Sequence, residues 1–466
     1  MSFEILARCP TTRARVSRLT LAHGPTMLPT FMPVGTQAAI KGLTTQQVEA
    51  LGVSLILHNT YHLNLRPGVD IPTRGKRQRM PIGVLMPYRP EDLTNFPVGT
   101  ETCSLDALQD SGGFQFVSLS KFASMYASFT VHLNALTQDS TEEGALFASP
   151  FTGEPTMLTP EQSMSIQHAI GADIIMQLDD VVPSLTPDRD RVEEAMERSV
   201  RWLDRCIEFH HASGKQTTQN LFAIVQGGLD LELRGRCLKE MVARKDKVAG
   251  FAVGGLSGGE EKDIFWRIVK QCAEELPEDK PRYSMGIGFA EGRFPQLELL
   301  FPLICQDLLV CVALGIDMAD CVFPTRTARF GVALTPTGPL NLRLARHAKD
   351  LSPIDSECPC PTCASKTSRA FLHHIVTRET TAAHSVTLHN IVFQAQLMGG
   401  ARDAIANGTF PQYLRSFFAR YFGKAGYPEW CVNALRSVGV DLLEGIDVPV
   451  ISGSGAKWEY SQTDNP

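Results

Sequence analysis

The chain has 466 residues, 43% of them hydrophobic and 20% charged, the composition of a globular protein able to bury a large core. A formal net charge of −6 excludes a globally basic nucleic-acid coat but allows a local cluster of Lys and Arg that tracks phosphates. The opening MSFEILARCPTTRARVSRL has no apolar h-region, so no secretory signal is expected, and no apolar window approaches the length that spans a bilayer.

Short apolar runs recur at residues 53–57, 174–178, 221–225, 251–253, 284–287 and 316–318, with helix-like patterns between them. Pro160 with Glu161 opens one such helix, because a proline in the first turn lacks only an N–H that has no partner there. A longer helix follows Asp188, with Val192, Met196, Val200, Leu203 and Ile207 on one face and Gly214 as its stop. Another spans about residues 260–276. This alternation predicts a parallel sheet with crossover helices.

The ends of the runs carry the chemistry. They read Asn59-Thr60-Tyr61-His62, Asp179-Asp180, Gln226-Gly227-Gly228, Gly254-Gly255, Gly286-Ile287-Gly288 and Asp320. Polar and glycine residues at successive strand exits are what a (β/α)8 barrel gathers around its C-terminal mouth. An open doubly wound sheet is the alternative. Its G-x-G-x-x-G fingerprint is missing, since no third glycine stands in register after Gly286 and Gly288.

Four clusters stand out. In DSGGFQ, Asp110 and Ser111 precede Gly112 and Gly113, so a ligand can approach the backbone closely, and Phe114 suits stacking on a planar ring. The adjacent Asp179 and Asp180 cannot both be buried unpaired; one use is to accept from the amino and imino groups of a guanine-like base, with Gln226 and the Gly254-Gly255 backbone completing the slot. Asp320 closes an apolar run and is followed by Thr325, Arg326 and Arg329, an anion beside two cations, suited to attacking an electrophile while holding a polyanion. The fourth cluster is Cys358-Pro359-Cys360-Pro361-Thr362-Cys363 with a histidine further on.

Three thiolates and one imidazole make a closed tetrahedral Zn²⁺ set with no open position, hence a structural metal. His389 is the favoured fourth ligand, while His373, His374 and His384 compete with it on spacing alone. The other cysteines are scattered through apolar segments, which fits reduced thiols in a cytosolic protein.

Taken together, HNTYHL (58–63), DSGGFQ (110–115), MQLDD (176–180), VQGG (225–228), GGLSGGE (254–260), MGIG (285–288), DCVFPTRTARFG (320–331) and the C-x-C-x2-C…H pattern resemble the tRNA-guanine transglycosylases, in order over roughly residues 11–425. The resemblance implies a (β/α)8 TIM-type barrel over about residues 11–345, completed by a zinc-binding subdomain over about 346–425. One structural Zn²⁺ per chain would sit on Cys358, Cys360, Cys363 and His389. The implied reaction replaces the wobble guanine of GUN-anticodon tRNAs by queuine, with Asp320 as the nucleophile at ribose C1′ and Asp110 as proton donor and acceptor.

Base-pocket positions carried over are Asp110, Ser111, Gly112, Gly113, Phe114, Asp179, Gln226 and Gly255. RNA contacts are Gly286, Ile287, Gly288, Phe289, Ala290, Thr325, Arg326, Thr327, Ala328 and Arg329, and Arg343, Arg346 and Lys349 extend that patch. Val181 stands where bacterial members resemble one another in carrying Cys, which fits a preference for free queuine over a smaller base. The resemblance also implies a heterodimer with a non-catalytic paralogue, in the cytoplasm, with peripheral association at the mitochondrial outer membrane. A non-catalytic tRNA-binding or partner subunit of the same family, or an inactive gene-model variant, is the alternative; retention of both Asp320 and Asp110 favours the enzyme. Segments near 73–108, 121–140 and 291–306, and the tail over about 431–466, depart from the family pattern.

Overall fold

The computed structural model describes residues 1–36, 39–65, 106–110, 139–148, 155–287, 303–376 and 378–452. The segments near 73–108, 121–140 and 291–306 fall mostly outside these residues. Eight parallel strands form one sheet in chain order: β1 (Thr30–Pro33), β2 (Leu55–Asn59), β3 (Asp106–Asp110), β4 (Ile174–Met176), β5 (Asn220–Val225), β6 (Gly250–Val253), β7 (Arg282–Ser284) and β8 (Met318–Cys321). β8 pairs with β1, and a parallel bridge between Val34 and Leu57, with Gly35 N–H on Leu57 O at 2.8 Å, joins the β1 side to β2. The sheet therefore closes on itself, and the barrel reading prevails over the open sheet.

Alternation along the strands decides what fills the interior. Met32, Leu55, Leu57, Leu108, Ile174, Met176, Phe222, Ile224, Ala252, Tyr283 and Met318 form one buried cluster, the packed barrel core. Leu19, Leu21 and Leu28 join it from the antiparallel N-terminal meander Ser2–Arg8, Arg15–Thr20 and Pro25–Leu28, and so seal the strands' N-terminal end. There Arg15 closes a bidentate pair with Asp317, at 2.9 and 2.6 Å, fully buried. The opposite end, where the strands terminate, is the end left for ligands.

The crossover helices form the outer layer. Thr159 caps Pro160–Ile170 in a reciprocal capping box with Gln162, and Asp188 caps Arg189–Ala212, beyond which Gly214 takes a left-handed φ of 68°. Helices Leu231–Ala243, Lys262–Glu275 and Leu303–Leu314 continue the series among the described residues. The long helix Thr380–Ala406 packs on the Phe323–Arg329 helix and on β1, closing the helical ring beside the last strand.

Three sequence expectations shift. Strand β7 starts at Arg282, two residues before the apolar run at 284–287, and β8 ends at Cys321 rather than Met318. Strands β1 and β3 were not foreseen; they are short, and Pro33 and the two aspartates of DALQD mask their character. Over its described part the C-terminal segment joins the main buried core through Trp430, Cys431, Leu435, Val440 and Leu442.

Candidate active site

Asp320 lies at the C-terminal end of β8, 7% exposed. Tyr283 Oη donates to its Oδ1 at 2.5 Å and the Gly286 N–H to the same oxygen at 2.8 Å. Both of these donors converge on Oδ1, and beyond them only the main-chain N–H of Asp320 itself acts on the carboxyl among the described residues. One oxygen is thus anchored while the other is available to a reactant. Burial pushes the Asp320 pKa up, and the Gly286 and Tyr283 donors, which favour the charged form, only partly offset this.

Next around the barrel is a polar slot. Asp179 and Gln226, each 4% exposed, meet at 2.6 Å, with Gln226 Nε2 donating to Asp179 Oδ2. Gly255 completes it with a φ of 68°, and a Cβ there would lie 2.4 Å from Gln226 Oε1, so only glycine fits beside that amide. Asp180, by contrast, faces away from the chemistry. It takes Arg191 in a bidentate pair at 2.9 and 2.8 Å and Arg198 at 2.6 Å. Burial alone would raise its pKa; the two guanidinium partners outweigh it and hold the carboxyl below its ordinary value. Of the adjacent pair, one aspartate serves the slot and the other the scaffold.

Asp110 ends β3, opposite Asn59 in the pairing of β2 and β3, and so belongs to the same rim of strand ends as Asp179, Gln226 and Asp320. Ser111, Gly112, Gly113, Phe114, Gly288, Phe289 and Ala290 lie outside the described residues. Gly286 is present through its N–H on Asp320, and Ile287 is fully buried. Val181, after Asp180, is buried.

The helix Phe323–Arg329 follows Asp320 directly. It exposes Arg326 and Arg329 and buries Thr325, Thr327 and Ala328, whose surfaces face the protein. Thr325 and Thr327 donate their hydroxyls to the carbonyls of Val322 and Phe323. Arg326 and Arg329 have no carboxylate partner among the described residues, and burial together with the like charge of Arg326 pulls the Arg329 pKa down. The stem of Arg343 packs on Gly331, and Arg346 and Lys349 are exposed further along, so these cations continue from the helix. The contrast with helix Arg189–Ala212 is sharp, where Arg189 and Arg201 are neutralised by carboxylates, and Glu193 of that helix pairs with Arg236 of the next one.

The four residues that could hold a metal are brought together. Cys358, Cys360, Cys363 and His389 are buried, with their ligand atoms all within 4.8 Å of one another. His389 Nδ1 lies 3.5 Å from Cys360 Sγ and 3.4 Å from Cys363 Sγ. Tetrahedral Zn²⁺ with ordinary bond lengths sets nitrogen and sulfur ligands about 3.6 Å apart, so the donors fit. His389 Nε2 donates to Leu334 O at 2.7 Å, which leaves Nδ1 bare for a metal. The competing histidines are engaged elsewhere, His373 on Leu342 O, His374 on Ala348 O and His384 on Gly42 O.

Two residues that hold the candidate site together escaped sequence reasoning. Tyr283 precedes the glycine motif it supports, with nothing local to mark it. Arg234 had a signal: it falls on the buried face of its helix with Leu233, Cys237, Leu238 and Met241, where a cation needs a reason. Fully buried, it donates from Nε to Gly228 O at 2.9 Å, from Nη1 to Val225 O at 2.8 Å and from Nη2 to Gly254 O at 2.8 Å.

Comparison with known proteins places these residues in context. Residues 9–423 match the family model described as queuine tRNA-ribosyltransferase. The chain is 45% identical over 452 residues to the queuine tRNA-ribosyltransferase catalytic subunit of Schizosaccharomyces pombe, covering 95% of this chain and 98% of that one. It is 44% identical over 425 residues to the catalytic subunit of Caenorhabditis elegans, covering 91% of each. To the queuine tRNA-ribosyltransferase of Thermus thermophilus it is 38% identical over 438 residues, 94% of this chain and 98% of that one.

Proposed function

The chain belongs to the queuine tRNA-ribosyltransferase family, and we propose that it is a catalytic member, a pentosyltransferase exchanging the wobble guanine of GUN-anticodon tRNAs for queuine. The observation that carries this reading is the state of Asp320. A carboxylate with one oxygen anchored by Tyr283 and Gly286 and the other available is built for in-place attack.

Breaking an N-glycosidic bond develops positive charge at C1′, which a carboxylate stabilises and then captures covalently. Asp320 Oδ2 takes that role, giving a ribosyl ester on the RNA. The departing guanine leaves more readily with a proton, which Asp110 supplies and later recovers from the incoming base. Asp179 accepts from the base's N–H groups while Gln226 fixes the carboxylate's orientation. The base must leave the stack to enter such a slot, and Arg326 and Arg329 hold the flanking phosphates. Zn²⁺, when bound by Cys358, Cys360, Cys363 and His389, has a closed ligand set and supplies a structural tie between residues 358–363 and helix Thr380–Ala406.

The words "catalytic subunit" in the relatives' names support a partner subunit. We propose that this partner is a non-catalytic paralogue and that the assembly is cytoplasmic, with peripheral attachment to the mitochondrial outer membrane. Among the described residues no helix is long and apolar enough to cross a membrane. Size-exclusion chromatography with and without the paralogue tests the pairing; a strict monomer with full activity refutes it. Incorporation of labelled guanine into unmodified tRNA tests the activity. Wild type exchanging while Asp320→Ala does not is the expected result, and equal activity in both overturns the nucleophile.

A further inference from the structure

Among the described residues no carboxylate is hydrogen-bonded to the buried Arg234 guanidinium, and its donors go to three main-chain carbonyls at the ends of two neighbouring strands. Val225 ends β5 and Gly228 lies in the loop that follows, on either side of Gln226; Gly254 precedes Gly255 after β6. Each of the two loops contributes one side of the base slot, and Arg234 is the group that ties them together beneath it.

The Gly254–Gly255 peptide is where the consequence lies. In a trans peptide the C=O and the following N–H point in opposite directions. Arg234 draws the Gly254 carbonyl toward the helix layer, so the Gly255 N–H is turned away from it. That N–H has no acceptor among the described residues, and Gly255 is partly exposed beside Gln226. A free, oriented donor in a slot whose other wall is an acceptor, Asp179, matches a base edge carrying a carbonyl next to N–H groups.

We propose that Arg234 is a positioning residue for base selectivity: by fixing the Gly254–Gly255 peptide it presents the Gly255 N–H to the base and makes the slot prefer a 6-oxopurine over a 6-aminopurine. The inference rests on the base-exchange reading above. It is distinct from a packing role, because loss of packing would weaken all substrates together.

The test uses the full chain with its tRNA substrate, and guanine and 2,6-diaminopurine as competing free bases. Wild type favours guanine. In Arg234→Lys, which keeps the charge but not the three-carbonyl fork, KM for guanine rises about tenfold, the loss of roughly one hydrogen bond, and the guanine preference falls by a similar factor. KM for tRNA and kcat stay within about threefold. Arg234→Met, read by circular dichroism and by guanine binding at a temperature where it is folded, provides the uncharged counterpart. Unchanged guanine selectivity in Arg234→Lys overturns the proposal, as does a parallel loss for both bases and tRNA. Failure of the parent reading looks different: wild type itself then exchanges no guanine.

Discussion

Tyr283 and Asp320, on neighbouring strands β7 and β8, share a 2.5 Å hydrogen bond in which the phenol donates to the carboxylate. Because donors to the charged form favour it, Tyr283→Phe raises the Asp320 pKa further above its already elevated position. The acid limb of the pH profile of kcat/KM then moves to higher pH. A hydrogen bond to a charged group also steadies the carboxylate proposed as nucleophile, so kcat should fall by roughly 10- to 100-fold. Pre-steady-state exchange kinetics across pH check both; an unshifted acid limb would remove Tyr283 from the mechanism.

The same elevated pKa has a stability consequence. A carboxyl whose pKa is higher folded than unfolded stabilises at pH below its unfolded value, and that contribution is lost as pH rises through the folded value. Wherever Asp320 is ionised, its charge is therefore a burden on the fold. Asp320→Asn, which keeps an acceptor for Tyr283 and Gly286, should melt about 2–4 °C higher than wild type at neutral pH while losing exchange activity. The gap closes in acid, and thermal melts at both pH values measure it.

Asp179→Asn and Asp180→Asn should part company. The first disturbs the Gln226 contact and raises KM for the base with little change in stability. The second strips Arg191 and Arg198 of a buried partner and destabilises by about 3–5 kcal/mol. Since the Asp180 pKa is lowered in the fold, its stabilisation holds above the ordinary carboxylate range and fades as pH falls through the depressed value. Denaturant titration and KM measured side by side distinguish the two.

Cys363→Ser should lose one equivalent of zinc per chain and lower the melting temperature, because the donors otherwise crowd together without a counter-charge. His373→Ala and His374→Ala should keep the metal, since both rings sit on carbonyls. Elemental analysis of the purified variants decides it.

Replacing Arg326 and Arg329 together by alanine should weaken tRNA binding and flatten its salt dependence, each lost phosphate contact taking roughly 0.7–0.9 from the slope of log K against log salt. Free-guanine affinity should not move. An unchanged slope would show that these two exposed cations leave the RNA alone.

Local chemistry was enough to read much of this protein. Period and punctuation revealed the strand–helix alternation, and polar residues at the strand exits marked the barrel mouth. The Cys spacing announced a metal site because close-set ligands within one short segment need no long-range information. Strand boundaries were less legible where burial is decided from afar: Arg282 begins β7 as a polar residue because its N–H meets Asp317, and Asp317 is held by Arg15 from the far end of the chain.

What only the tertiary structure decided was how chemically identical groups divide their work. Asp179 and Asp180 are equivalent in sequence; Gln226 and Arg191, brought from different elements, separate them. Four histidines suited the metal until Leu334 O fixed the ring of His389. Neither the anchoring of one Asp320 oxygen by Tyr283 nor the reach of Arg234 to two loops has a local signature. Sequence sets which functional groups exist and on which element they ride. Their partners, and hence their charge state and orientation, arise only when the barrel closes and brings distant strand ends within hydrogen-bond range.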